Sequence, residues 1–302
     1  MSIVEKAIAK LQSGGADEAR AQSAPQSVRP AIQAFAPAQA SPPRVTEPAA
    51  DIRIVAGSSV TIDPAALQDA GMLPPDKGAL MVRNQFRRLK WTLLDEIESA
   101  RNKGLPQAGA LMISSALPGE GKTFTSINLV MSLAREENHR VILVDADVAK
   151  GHVSALFGLG DRTGLVDLLS DPKLSVADVL VQTNVDRLFI LPAGKFRSDV
   201  PELMASSRMQ QVVNELIGGD RRRVVVFDTS PVLATNAAQV LARTLPQILM
   251  VVRAEHTSQT AVLDAIELLD KTKVAAVLNQ SHLAATNDNY NQGYGYYGNE
   301  ER

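Results

Sequence analysis

Leu111-Met112-Ile113-Ser114-Ser115-Ala116-Leu117-Pro118-Gly119-Glu120-Gly121-Lys122-Thr123 passes from an apolar run through a Gly/Pro-containing loop into Lys-Thr, and Leu129 and Leu133 follow at helical spacing. The spacing predicts a strand, a tight loop and the start of a helix. The loop matches the phosphate-binding pattern, except that Ala116 stands where the first glycine is usual. Small residues let successive backbone N–H groups turn towards a phosphate, and the helix N-terminus adds a favourable dipole. Pro118, Gly119, Glu120, Gly121, Lys122, Thr123 and Phe124 are therefore the expected ATP-binding residues, with the Glu120 side chain expected to face solvent. Lys122 can reach the β- and γ-oxygens of ATP, and the Thr123 hydroxyl can ligate Mg²⁺.

Downstream, one apolar run ends Leu143-Val144-Asp145-Ala146-Asp147 and another ends Val226-Phe227-Asp228-Thr229-Ser230-Pro231. A carboxylate at the end of a buried strand is costly unless a cation stands beside it, and Mg²⁺ supplies one. Asp228 is the natural holder of a metal-bound water. Asp145 and Asp147 are placed to orient the metal and to accept a hydroxyl proton. The expected metal ligands are Thr123, Asp145 and Asp228; the expected catalytic set is Lys122, Asp145, Asp147 and Asp228. Strand-end capping is the simpler alternative for each acid.

From residue 109 the pattern is regular. Apolar runs at 110–113, 141–144, 188–191, 224–227, 248–252 and 274–278 alternate with helical patterns. Strands so uniformly apolar fit a mostly parallel sheet covered by helices on both faces, an α/β fold with its ligand at the strand carboxyl ends. The core is expected over 109–282. Before it, 51–108 form an extension with a Leu-Pro-Pro turn at 73–75 and a helix through Phe86, Leu89, Trp91, Leu93 and Leu94 that runs towards Gly104. Residues 1–12 show helical spacing. Residues 13–50 contain 11 Ala and 6 Pro, too little apolar surface to offset the entropy of ordering, and read as a linker.

The 302 residues carry a net charge of -2 and no cysteine, so disulfides and thiolate metal sites are excluded. The four histidines lack metal-ligand spacing. Charge gives no reason to expect nucleic acid as a partner, and Arg221, Arg222 and Arg223 are expected to be solvated turn residues. No apolar run approaches the roughly 20 residues that cross a bilayer; a cytoplasmic chain is expected. All four tyrosines, Tyr290, Tyr294, Tyr296 and Tyr297, fall in the Gly/Asn-rich segment 283–302. Such spacing keeps the phenols exposed, and next to an ATP site they read as phosphate acceptors; a sticky tail without a role is the alternative.

The motifs Ser-Ser-Ala-Leu-Pro-Gly-Glu-Gly-Lys-Thr at 114–123, Asp-Ala-Asp at 145–147, Leu-Pro-Ala-Gly at 191–194, Phe-Asp-Thr-Ser-Pro at 227–231, Val-Val-Arg-Ala at 251–254 and Val-Leu-Asn at 277–279 recur in this order before the tyrosine tail. Together they resemble the bacterial tyrosine kinases of exopolysaccharide synthesis, in particular the exosortase-associated tyrosine autokinase type. The resemblance implies ATP-dependent autophosphorylation in trans and a membrane-embedded chain-length determinant protein as activator, which would bring the chain to the inner membrane. It also implies self-association and an opposing tyrosine phosphatase. Asp145 matches the family's favoured base for the tyrosine hydroxyl.

Two departures stand out. Asn84, Arg87 and Lys90 occupy the spacing of a Glu-x-x-Arg-x-x-Arg helix that packs subunits into a ring in the family. Val148-Ala149-Lys150-Gly151 replaces the usual Arg-Lys-Pro or Ala-Lys-Pro. A partition or cell-division type ATPase that positions cargo without phosphorylating it shares the loop; it usually carries a second lysine where Leu117 stands here. An interaction protein with a vestigial site is disfavoured by intact Lys122, Thr123, Asp145 and Asp228.

Overall fold

The computed structural model describes residues 59–105 and 107–281. The expected helix at 1–12, the 13–50 linker, the apolar piece at 52–55 and the tyrosine tail lie outside them. Eight strands form one sheet: β1 (Ser59–Val60), β2 (Ala110–Ser115), β3 (Arg140–Asp145), β4 (Val181–Thr183), β5 (Leu188–Leu191), β6 (Arg223–Asp228), β7 (Gln247–Arg253) and β8 (Val274–Asn279). Their spatial order is β1-β4-β5-β3-β6-β2-β7-β8. Every pairing is parallel except β4 with β5, which is antiparallel. The six runs expected from sequence are the six longer strands, each within two residues of its expected bounds. β1 and β4 were not expected, being too short to show a pattern.

The central strands β2, β3 and β6 are buried almost throughout, as continuous apolar runs require when helices cover both faces. One core packs Met112, Ile142, Val225 and Phe227 against the helices of one face. The other packs Leu111, Ile113, Leu143 and Val226 against α2 and α3. Here α1 is Pro64–Asp69, α2 is Asp76–Asn102 and α3 is Lys122–Leu133. The turn at 73–75 separates α1 from α2, with Pro75 capping α2. That helix ends near Gly104 as expected but starts at Asp76, well before Phe86; only Leu93, Leu94, Ile97 and Ala100 are buried hydrophobics on it.

Arg223 corrects one expectation. Arg221 and Arg222 are exposed, but Arg223 is buried, 3.8 Å from the Asp220 carboxylate, with its guanidinium also donating to the Leu216 carbonyl. It opens β6 from inside, where an unpaired guanidinium would be prohibitively costly. Lys90 is likewise inward. Its ammonium pairs with Glu136 and donates to the Ser132 carbonyl at 3.4 Å, fastening α2 to the end of α3. The remaining helices are α4 (His152–Leu156), α5 (Leu165–Ser170), α6 (Val176–Val179), α7 (Val200–Ala205), α8 (Ser207–Ile217), α9 (Asn236–Thr244) and α10 (Gln259–Glu267).

Candidate active site

The loop between β2 and α3 turns on two glycines in the left-handed region, Gly119 at φ 81° and Gly121 at φ 93°. Gly121 caps α3, and a β-carbon there would lie 2.0 Å from Asn279 Nδ2. The approach is close because that amide donates to the Glu120 carbonyl at 2.9 Å, tying the loop to the end of β8. Gly121 is thus required twice, by dihedral and by space. Ala116, in the place of a glycine, is buried and packs in the core; its carbonyl accepts from Leu233 N–H.

Glu120 does not face solvent. It is 2% exposed and accepts from Leu117 N–H at 2.8 Å, from the Thr257 hydroxyl, and from Arg253 N–H at 3.5 Å. The backbone conformation at Gly119 and Gly121 turns this carboxylate under the loop, where unmet amide donors compensate its burial. Loop position alone did not show which way it points.

Pro118, Gly119, Gly121, Lys122, Thr123 and Phe124 line a single cavity of about 1000 Å³, together with Asp147 and Lys150. Residues of α2 wall the cavity from the opposite side, and Phe86 meets Phe124 with ring centroids 6.0 Å apart. Lys122 is buried and forms no salt bridge with a carboxylate among the described residues. Burial lowers its pKa, with Asp228, Asp147 and Glu120 pulling the other way. A desolvated ammonium without a paired anion suits an incoming phosphate.

Asp145 and Asp228 lie at the sheet's carboxyl edge, both essentially inaccessible. The Thr123 and Ser126 hydroxyls donate to the two oxygens of Asp228, each at 2.8 Å. Burial nonetheless drives the Asp228 pKa up to about 7. Asp145 Oδ2 accepts from Ser154 N–H at 2.7 Å and from its hydroxyl at 2.6 Å, while Oδ1 is buried without a partner. Burial raises the Asp145 pKa too, against the Ser154 bonds. Ser154 in turn accepts from Ala193 N–H at 2.8 Å, joining the Asp-Ala-Asp and Leu-Pro-Ala-Gly segments. Sequence reasoning missed Ser154; a serine in the short helix after an acidic motif is too common to single out.

These groups fit Mg²⁺. An orphaned buried carboxylate oxygen, a second carboxylate with a raised pKa and the Thr123 hydroxyl all gain from a nearby cation. Among the described residues no three His, Cys, Asp or Glu side chains converge into a metal cage. Phosphoryl-transfer sites do not need one, because Mg²⁺ takes one or two protein oxygens and completes its shell with phosphate and water. The four tyrosines are outside the described residues.

Comparison with known proteins agrees with this architecture. The AAA domain family model matches residues 110–282. The tyrosine-protein kinase YwqD of Bacillus subtilis is 31% identical over 65% of this chain and 80% of its own. CapB of Staphylococcus aureus, a putative tyrosine-protein kinase by name, is 28% identical over 74% of this chain and 94% of its own. Among solved structures, the VpsO kinase domain superposes with a TM-score of 0.52 at 29% identity, covering 64% of this chain and 96% of that domain. A phosphate loop backed by two strand-end acids and these likenesses lead to one conclusion: the chain belongs to the AAA domain family, with a P-loop nucleoside-triphosphatase fold, and, within it, to the bacterial tyrosine-protein kinases.

Proposed function

We propose that the chain is an autokinase that transfers the γ-phosphoryl group of ATP to Tyr290, Tyr294, Tyr296 and Tyr297 of a neighbouring copy. The observation that carries this reading is the free buried oxygen of Asp145, held beside a metal-suited Thr123–Asp228 pair under the lysine-bearing loop. Pro118 to Phe124 hold the nucleotide. Thr123 and Asp228 would hold Mg²⁺, with Asp145 orienting its shell, and the bound ion would supply charge neutralisation of the phosphates. Lys122 stabilises charge on the transferring group. Asp145 Oδ1 takes the phenol proton, its raised pKa bringing it closer to operating pH. Asp147, on the cavity wall, steers the entering hydroxyl.

By its motifs we place the chain in the exosortase-associated subtype, acting in exopolysaccharide polymerisation and chain length. Its activator is a membrane-embedded chain-length determinant protein, which would hold this chain at the inner membrane, and a tyrosine phosphatase resets it. No helix among the described residues is long and apolar enough to cross a membrane, so attachment through a partner suits them. A positioning ATPase without kinase activity is not favoured, since the relatives are named as tyrosine kinases.

Mass spectrometry after incubation with Mg-ATP and the activator tests the reading, beside Lys122→Met. Phosphate on the four tyrosines in wild type alone is the expected result. ATP turnover with unmodified tyrosines, or wild-type phosphate in the variant, would overturn it.

A further inference from the structure

The segment after β5 carries an aromatic side chain that is more open than any other large hydrophobic among the described residues. Phe196 is 69% exposed, and its ring meets no other aromatic ring there. The backbone that leads to it is nonetheless fixed. Leu165 and Val166 N–H donate to the Pro192 and Ala193 carbonyls at 2.8 and 3.0 Å. Asp167 Oδ2 accepts from Gly164 N–H at 2.9 Å and from Lys195 N–H at 3.2 Å. Gly194, at φ 82°, lies so close to these groups that a β-carbon on it would stand 2.5 Å from the Asp167 carboxylate. An exposed aromatic on a backbone held at its root loses little freedom when it binds, which suits it to anchor a contact.

The position of this ring decides what it can hold. Asp145 ends β3, and Val144 before it pairs in register with Leu191 of β5. Ala193 N–H donates to the Ser154 hydroxyl, which donates to Asp145. Phe196 follows three residues later, within about 11 Å of chain. Its neighbours Lys195 and Arg197 are exposed cations. Arg197 pairs with Asp199, whereas Lys195 forms no salt bridge among the described residues. The segment 283–302 has the complementary composition: four tyrosines, with Asp288, Glu300 and Glu301 against the single Arg302. Tyr290, Tyr294 and Tyr296 differ by even steps, so an extended peptide sets them on one side, about 7 Å apart for a step of two and about 13 Å for four. We propose that Phe196 is a docking platform for the tyrosine segment of a second copy: one phenol reaches Asp145 while the ring of another tyrosine, two or four residues away, stacks on Phe196. Stacking uses the ring and not the hydroxyl, so each tyrosine serves both as acceptor and as handle for its neighbours. The inference rests on the autokinase reading and adds what selects the acceptor, an aromatic side chain at even spacing from it. Lys195 then faces the acids of the same segment. A phenylalanine between two cations also suits an anionic lipid surface, but its place at the sheet edge where the acceptor must enter favours the peptide.

Transfer between two full chains tests this, with Mg-ATP and the chain-length determinant protein present. The enzyme is the chain with all four tyrosines changed to alanine, the substrate is the Lys122→Met chain, and initial rates are read against substrate concentration. In one substrate Tyr294 is the sole acceptor beside Tyr290→Phe, Tyr296→Phe and Tyr297→Phe; its KM should stay within about twofold of the four-tyrosine substrate, because the rings remain. In a second, Tyr290→Ala, Tyr296→Ala and Tyr297→Ala should raise KM about tenfold with kcat little changed, as loss of a stacked ring does. Phe196→Ala in the enzyme should raise KM for the first substrate by about the same factor and erase its advantage over the second, and Phe196→Trp should restore it. Thermal unfolding checks that each enzyme variant is folded. Equal KM for the two substrates, or for Phe196→Ala and its parent, would overturn the docking and leave the autokinase reading standing. Transfer to no substrate at all would overturn both. Binding to anionic vesicles that Phe196→Ala abolishes, at unaltered KM, would assign the loop to lipid instead.

Discussion

Asp145 and Asp228 are register partners, paired across the parallel ladder at the carboxyl ends of β3 and β6. Both are buried, and after burial itself the Asp145 charge makes Asp228 harder to ionise. Such a pair is stable only while a proton or a cation compensates it. Folding thus builds a buried carboxylate pair that a cation would relieve.

The metal-free protein should lose stability as pH rises. Asp228 moves from 3.8 unfolded to about 7 folded, so between those values the folded state holds the extra proton. The stabilisation from that proton is complete below about pH 4 and gone above about pH 7. Its ceiling is on the order of 4 kcal/mol, given 1.36 kcal/mol per pKa unit. Asp145 shifts in the same direction and adds to the slope. Urea unfolding of metal-free Asp228→Asn at several pH values should give a visibly flatter profile than wild type; an unchanged slope would remove the assigned shift.

Ser154→Ala removes both the hydroxyl donor to Asp145 and the acceptor for Ala193 N–H. Loss of a group that orients a site carboxylate typically costs 10–100-fold. The expected result is a fall of about that size in kcat, with KM for ATP little changed and Ser154→Thr recovering part of it. A lower Tm with unaltered kcat would mean that Ser154 is structural only.

Glu120→Gln keeps the size of the side chain but sets an amide donor against Leu117 N–H or against Arg253 N–H. The loop should loosen from the end of β7, raising KM for ATP about tenfold and lowering stability by about 1–3 kcal/mol, the range for a compromised buried hydrogen bond. Steady-state kinetics and thermal unfolding check both numbers. Wild-type KM would show that the loop keeps its shape without this anchor.

Gly121→Ala should abolish nucleotide binding while the sheet persists. The added methyl meets Asn279 Nδ2, and a positive φ is strained for alanine. Asn279→Ala alone should bind ATP more weakly but measurably. If the double variant binds as well as Asn279→Ala, the clash, not the dihedral, is the cause. Calorimetric titration with Mg-ATP separates the three.

Much of the core and of the candidate site's loop was legible from local pattern. Continuous apolar runs declare strands buried on both faces, and Gly-Lys-Thr between such a strand and an amphipathic helix leaves little choice of geometry. Asp145 and Asp228 were legible for the same reason: a charged residue ending an apolar run must lie at the sheet edge. What depended on direction or distance was not. Glu120 and Lys90 look like surface residues in sequence, yet the chain turns one under the loop and the other between two helices, where partners 137 and 46 residues away meet them. Arg223 joined a basic run whose other members are exposed, because the chain enters a sheet covered on both faces at that residue and Asp220 meets it there. The sequence by itself determined which residues form the glycine-bearing loop between β2 and α3, since that needs only neighbours along the chain. Only the tertiary structure decided which polar side chains serve it from beneath, because a buried charge is tolerated solely where distant segments bring compensating partners.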